Sequence, residues 1–212
     1  MRRRSVLPER LRDRRRLAVA RIVIGALLLG PLPVGAQGEV AAAVGLASPV
    51  GEGIYEGMSG GLAYGIHVAF SVADHAMLGI EVIYSRFDVY FERSAGQWAV
   101  LTTGRYFLGG GDGARFFLAG KLGLARTAGY DSERFRPGDY ATIGITAGPG
   151  AGLRLSLGRA AMEISGDLML DAFPGLPSPT QRESTGARLV ARVSLIMPLD
   201  RLERSVSGIP DG

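Results

Sequence analysis

Eight charged residues, Glu81, Arg105, Lys121, Arg154, Glu163, Asp167, Arg188 and Arg192, sit singly inside long stretches of Ile, Leu, Val, Ala and Gly. Acids and bases in such company can move protons, line an ion path, or neutralise one another. Nucleophilic catalysis needs a nucleophile and a base within reach of each other. Only His67 and His75 are available as histidine bases, and cysteine is absent, which excludes a disulfide framework and a thiolate metal site. Asp112 within Gly109 to Gly113, and Asp131, Glu133 and Asp139 in another connection, follow no EF-hand or repeated glycine-aspartate pattern, so they read as solvated loop charge. Gly150-Ala151-Gly152 is no nucleotide loop, because it lies within a strand pattern and no helix follows. No cofactor or metal is expected. Mutual neutralisation is the remaining chemistry, since an isolated buried charge is prohibitively costly.

The elements that must bring these charges together are strands. From Ile143 to Leu157 the odd-numbered residues are apolar and the even-numbered ones are Gly, Thr, Arg or Ser. A period of two means a strand, and this stretch is longer than the roughly five or six residues usual in soluble sheets. Its wide face is greasy and its narrow face carries glycine and Arg154. The same alternation recurs over about 39–48, 58–72, 76–91, 97–108, 115–128, 160–171 and 185–198, giving eight strands. In each, the charged residues named above fall on the minority face. A phase change after Tyr84, to Phe87, Val89 and Phe91, predicts a bulge near Ser85 to Arg86. Connections at 73–75, 109–114 and 158–159 are short, whereas 49–57, 92–96, 129–139 and 172–184 are mostly longer. Gly158-Arg159 fits a two-residue hairpin turn that sets Arg154 opposite Glu163. Tyr84, Phe87, Tyr90, Phe91, Trp98 and Tyr140 gather at one rim, and Phe70, Tyr106 and Phe116 at the other. The expected fold is therefore all-β: an eight-stranded antiparallel transmembrane up-and-down β-barrel with lipid outside.

Residues 1–36 read as a signal peptide: arginines, then the apolar run Ile22 to Leu29, then Val34-Gly35-Ala36 with cleavage after Ala36. That run is well short of the roughly eighteen residues a spanning helix needs. Nine of the 24 Lys and Arg and two of the 20 Asp and Glu lie in this segment, which leaves 15 basic and 18 acidic residues, a net charge of −3. A nucleic-acid partner loses its support on that count. Residues 37–198 form the barrel and 199–212 a polar tail. The 32 glycines follow no collagen-like period, and in strands they imply bends and crowded interiors. Pro149 leaves a ladder without a donor, for which a local bulge is the expected remedy.

With its leader, eight strands and the run Gly148-Pro149-Gly150-Ala151-Gly152-Leu153-Arg154-Leu155, the chain resembles the small outer-membrane β-barrels of Gram-negative bacteria, of the OmpA transmembrane-domain, OmpX and OmpW type. The resemblance implies an outer-membrane monomer in contact with membrane lipid and lipopolysaccharide and inserted by the barrel assembly machinery. Such barrels usually end on an aromatic residue, whereas this one runs on past Met197-Pro198. A barrel of eight strands is only wide enough to be filled by side chains or to hold one small ligand. The expected role is structural, or surface interaction through extracellular loops, with Tyr130, Arg134, Phe135 and Arg136 as contact residues. A small channel or hydrophobic-ligand transporter of the OmpW kind is the alternative. Less favoured are a soluble exported barrel and a lipid A-modifying enzyme; His75 falls in a turn and His67 points inward, away from an outer-leaflet ester, so no enzyme is expected.

Overall fold

An extended chain turns successive side chains to opposite faces, so a strict apolar/small alternation gives one sheet two different surroundings. In a computed structural model of the chain, the described residues are 37–199 apart from 52–53, 56–57, 90–92, 110–112, 131–136 and 174–184. The leader with its cleavage after Ala36, and the tail from residue 200, lie outside them. The strand segments are β1 Gly38–Val50, β2 Met58–Ser59, β3 Gly61–Ala73, β4 Ala76–Val89, β5 Arg93–Leu108, β6 Ala114–Tyr130, β7 Pro137–Leu157, β8 Ala160–Ala172 and β9 Thr185–Pro198. All pairings are antiparallel, and β1 pairs with both β3 and β9, so the sheet closes on itself. The short β2 continues the line of β3 along β4, which makes eight walls.

The wall is inside out relative to a soluble barrel. Phe116 is 64% exposed on the outside, whereas Glu81 on the inside is 1% exposed. Leu46, Ile66, Leu122, Ile145 and Leu170 share the outer face. At the turn end of the barrel β3 meets β4, β5 meets β6 and β7 meets β8; at the loop end lie the end of β1, the start of β2, and the ends where β4 precedes β5, β6 precedes β7 and β8 precedes β9. At the loop end Tyr84 and Trp98 are paired across β4 and β5 with ring centroids 4.7 Å apart. Tyr106 and Phe116 are exposed near the turn end.

Several local expectations are corrected. The connection expected over 92–96 is only 90–92, because β4 and β5 pair out to Val89 and Arg93. The strand expected from Ile143 begins at Pro137, and β6 reaches Tyr130, so the connection expected over 129–139 shortens to 131–136. No phase change occurs in β4: its ladder with β5 runs unbroken from Ala76 to Val89. Phe87 consequently points inward and is 1% exposed. The irregularity lies on the neighbouring segment. Ser59 pairs with Asp88 and Ala63 with Ser85, so one extra residue is absorbed beside Gly60 rather than at Ser85 to Arg86. Tyr90 and Phe91, placed with Phe87 at the rim, lie outside the described residues, as does the side chain of Tyr140. Pro149 is accommodated without a bulge. Its ladder with β6 is continuous, and the β8 ladder omits the pairs at Gly148 and Pro149 and resumes in the same register at Gly150 opposite Asp167.

The glycines of β7 have a packing reason. A Cβ on Gly150 would collide with the Asp167 carboxylate, and one on Gly152 with the Phe117 ring and the Ile164 carbonyl. These bare positions are sockets that let long side chains from β6 and β8 fill the lumen. Gly158, at φ 73°, serves the tight turn between β7 and β8, a conformation that glycine adopts without steric cost.

Candidate functional site: an ion-paired lumen

Strand parity turns five acids, Glu39, Glu81, Glu163, Asp167 and Asp171, and five bases, Arg105, Lys121, Arg154, Arg188 and Arg192, into the barrel. They sort into three tiers along the axis. In the tier nearest the turns, the Arg154 guanidinium donates to both Glu39 oxygens at 2.8 Å and to Glu163 Oε2 at 3.0 Å. Arg105 Nη1 donates to the same Glu163 oxygen at 3.3 Å and lies 3.1 Å from His67 Nε2. His67 Nε2 is in turn 3.4 Å from Glu39 Oε1. Below this tier Phe107, Phe117, Ala119 and Met77 form an apolar floor. Arg154 stacks 4.6 Å over the Phe107 ring and Arg105 lies 5.5 Å from the Phe117 centroid.

The middle tier is a closed ring of four. Lys121 Nζ donates to Glu81 Oε2 at 2.7 Å and to Asp167 Oδ2 at 2.8 Å; Arg192 donates to Asp167 Oδ2 at 2.7 Å and to Glu81 Oε1. Each charge therefore touches two of opposite sign. In the tier nearest the loops, Arg188 donates from Nε to Asp171 Oδ2 at 2.9 Å and from Nη1 to Ser85 Oγ at 2.7 Å. The Tyr55 hydroxyl donates to Asp171 Oδ2 at 2.6 Å, and Gln97 Nε2 donates to Asp171 Oδ1 at 3.3 Å. Tyr55 precedes β2 and reaches into the barrel from the loop end; burial pushes its phenol pKa up, which keeps the hydroxyl a donor. Ile54, Phe87 and Phe173 close over this tier as an apolar cap, and Met169, Val190 and Leu101 pack between it and the middle ring. Tyr55 and Phe87 are 5.1 Å apart by ring centroid, and the Ile54 amide donates to the Thr185 carbonyl at 3.1 Å.

Acids and bases balance within every tier, two against two, two against two, and one against one, with His67 additional. Buried charges tolerate low dielectric only when paired and hydrogen-bonded, and balance tier by tier meets that condition locally.

All eight charged residues singled out by sequence lie in this column, and Arg154 pairs with Glu163 in register as the hairpin turn required. His67 lies opposite Glu81 in the backbone ladder, but its ring turns to Arg105 and Glu39. Sequence reasoning missed Glu39, Asp171, Ser85, Gln97 and Tyr55. Parity with Glu163 and Asp167 was the available signal for Asp171, and parity with outward Val40 and Ala42 for Glu39; Tyr55, in a connection, had none. Of the expected loop contacts, Tyr130 ends β6, while Arg134, Phe135 and Arg136 lie outside the described residues. Among the described residues no group of three or more His, Asp and Glu could hold a metal ion.

A closed all-antiparallel barrel with an apolar exterior and a charged, packed lumen decides the architecture. The fold is that of the small eight-stranded outer-membrane barrels. Solved structures with this fold include Neisserial surface protein A, which is 13% identical with a TM-score of 0.53 over 77% of this chain and 96% of that one. They also include the N-terminal barrel domain of Pseudomonas aeruginosa OprF, 16% identical with a TM-score of 0.43 over 77% of this chain and 98% of that one. The outer-membrane enzyme PagL is 16% identical, with a TM-score of 0.44 over 76% of this chain and 99% of that one. No protein-family model and no curated protein matches the chain.

Proposed function

We propose that the chain is an integral outer-membrane barrel of a Gram-negative bacterium that serves as a closed, non-conducting wall unit and presents its loop end to the cell surface. The lumen column carries this reading. Three neutral tiers between an aromatic floor and an apolar cap leave each acid and base of the column engaged, and an ion entering would have to displace charges that are paired within their own tier. The exposed apolar wall suits hydrocarbon as solvent, and its aromatic rims suit the lipid-water boundaries. On this reading the barrel is a monomer inserted by the barrel assembly machinery, and no catalysis is involved. His67 is 2% exposed and engaged with Arg105 and Glu39, far from either lipid surface.

Detergent-extracted protein run on a gel with and without boiling tests the membrane reading: a mobility shift on heating is expected, and recovery as a soluble periplasmic protein without a shift would overturn it. Planar bilayers containing the folded protein test closure. No discrete conductance steps are expected, and regular steps would replace the wall reading with a channel.

A further inference from the structure

The outer face of the barrel is almost free of charge, and its exceptions are gathered on one flank. Among the described strand residues the outward cations are Arg86 on β4 and Arg126 on β6, both exposed. Trp98 on β5 is the direct ladder partner of both Tyr84 and Arg126, and Arg86 is the partner of Gly96. Arg86, Tyr84 and Trp98 therefore border one bare position, Gly96, and Arg126 stands on the far side of Trp98. Tyr84 leans over Gly96, since a Cβ there would lie 3.0 Å from the Tyr84 hydroxyl oxygen. Neither arginine has an ion-pair partner among the described residues, and Asp88, outward and next along β4 beyond Arg86, is not bonded to it. Their height is set by strand length. Phe116 to Arg126 on β6 and Leu108 to Trp98 on β5 each cover the roughly nine to eleven residues a tilted strand needs to cross the hydrocarbon. Both arginines thus stand where acyl chains give way to headgroups at the loop end. The outward residues of β1, β3, β8 and β9 include no cation.

We propose that Arg86 and Arg126, with the Tyr84 hydroxyl and the Trp98 ring between them, hold the phosphate of an anionic lipid headgroup on this one flank of the barrel. Guanidinium groups take phosphate oxygens bidentately, and Arg86 and Arg126 flank β5 from either side at its consecutive outward positions Gly96 and Trp98, so that long side chains can converge on one phosphate above the Tyr84 and Trp98 rings. Indole and phenol rings favour the same interfacial depth, so they fix the lipid's glycerol or sugar region beside the charge. A lipid rather than free phosphate is the occupant because the wall beneath the arginines is apolar, Val82, Val100 and Leu124 being exposed there. The proposal rests on the reading of the barrel as membrane-embedded with its loop end at one interface.

Trp98 is the only tryptophan in the chain, so its fluorescence reports on the site directly. The protein is folded into phosphatidylcholine vesicles doped with bromine-labelled phosphatidylglycerol or with the same amount of bromine-labelled phosphatidylcholine. Stronger quenching by the anionic lipid is expected, with the preference falling about fivefold for each arginine removed in R86Q and R126Q. Equal quenching by both labelled lipids overturns the proposal and leaves the membrane barrel standing; quenching by neither removes the barrel reading itself. Added inorganic phosphate should leave the quenching unchanged, and release of the lipid by phosphate overturns the choice of a lipid ligand. The lipid comparison on the unsubstituted protein decides the matter even where a variant fails to fold.

Discussion

The two ends of the charged column are closed by different means. Near the turns, Glu39 and Arg154 keep side-chain exposures of 10% and 15%, and the seal is an aromatic floor under charges carried entirely by strands. Near the loops, Asp171 and Arg188 are at 0%, and the seal includes Ile54 and Tyr55, which belong to a connection. The difference teaches that the same ion-pair chemistry is worth different amounts at the two ends. Where water can reach a charge, the loss of its partner is partly compensated; where water is excluded, it is not.

Asp171→Ala should be the most damaging of three substitutions that test this contrast, because it strands Arg188 without its carboxylate. A loss of about 3–5 kcal/mol is expected in urea unfolding from vesicles. Glu39→Gln should cost about 1–3 kcal/mol, since Arg154 retains Glu163 and solvent reaches the tier. Equal costs for the two would break the comparison. Raising salt sharpens it: the Glu39 effect should shrink with ionic strength and the Asp171 effect should hold, because buried pairs are screened much less. Tyr55→Phe should have the smallest effect, about 1 kcal/mol, as Asp171 keeps Arg188 and Gln97 when the hydroxyl is removed. A Tyr55→Phe cost as large as that of Asp171→Ala would mean that the loop, and not the ion pair, holds this end together.

Strand periodicity made the turn-end and middle tiers largely legible from sequence. Arg105, Lys121, Arg154, Glu163, Asp167 and Arg192 are interior strand residues whose parity alone turns them inward, and the Gly158-Arg159 turn fixes the register between β7 and β8. The loop end was harder for a physical reason. Phe87 reads as outward because Val89 and Phe91 share its alternation, yet the unbroken parity of β4 keeps it inward with Glu81 and Ser85, where Tyr55 from a connection packs against it. Periodicity within a strand carries no information about a loop folding back over the lumen. Pro149 shows a subtler limit: a missing donor suggests a compensating bulge, but the ladder simply skips two pairs and keeps its register.

The β1–β9 ladder matters for how the molecule is made. Seven of the eight seams join neighbours in the chain, whereas this one joins Val40 to Met197. Local hairpins form quickly, and a contact between distant parts of a chain waits for the whole intervening loop to be ordered. The bonds from Glu39 to Arg154 and from Arg192 to Glu81 both involve a seam strand. By that principle ring closure is the step expected last in folding, and these two ion pairs, which span the seam strands, can form only once β1 and β9 have met.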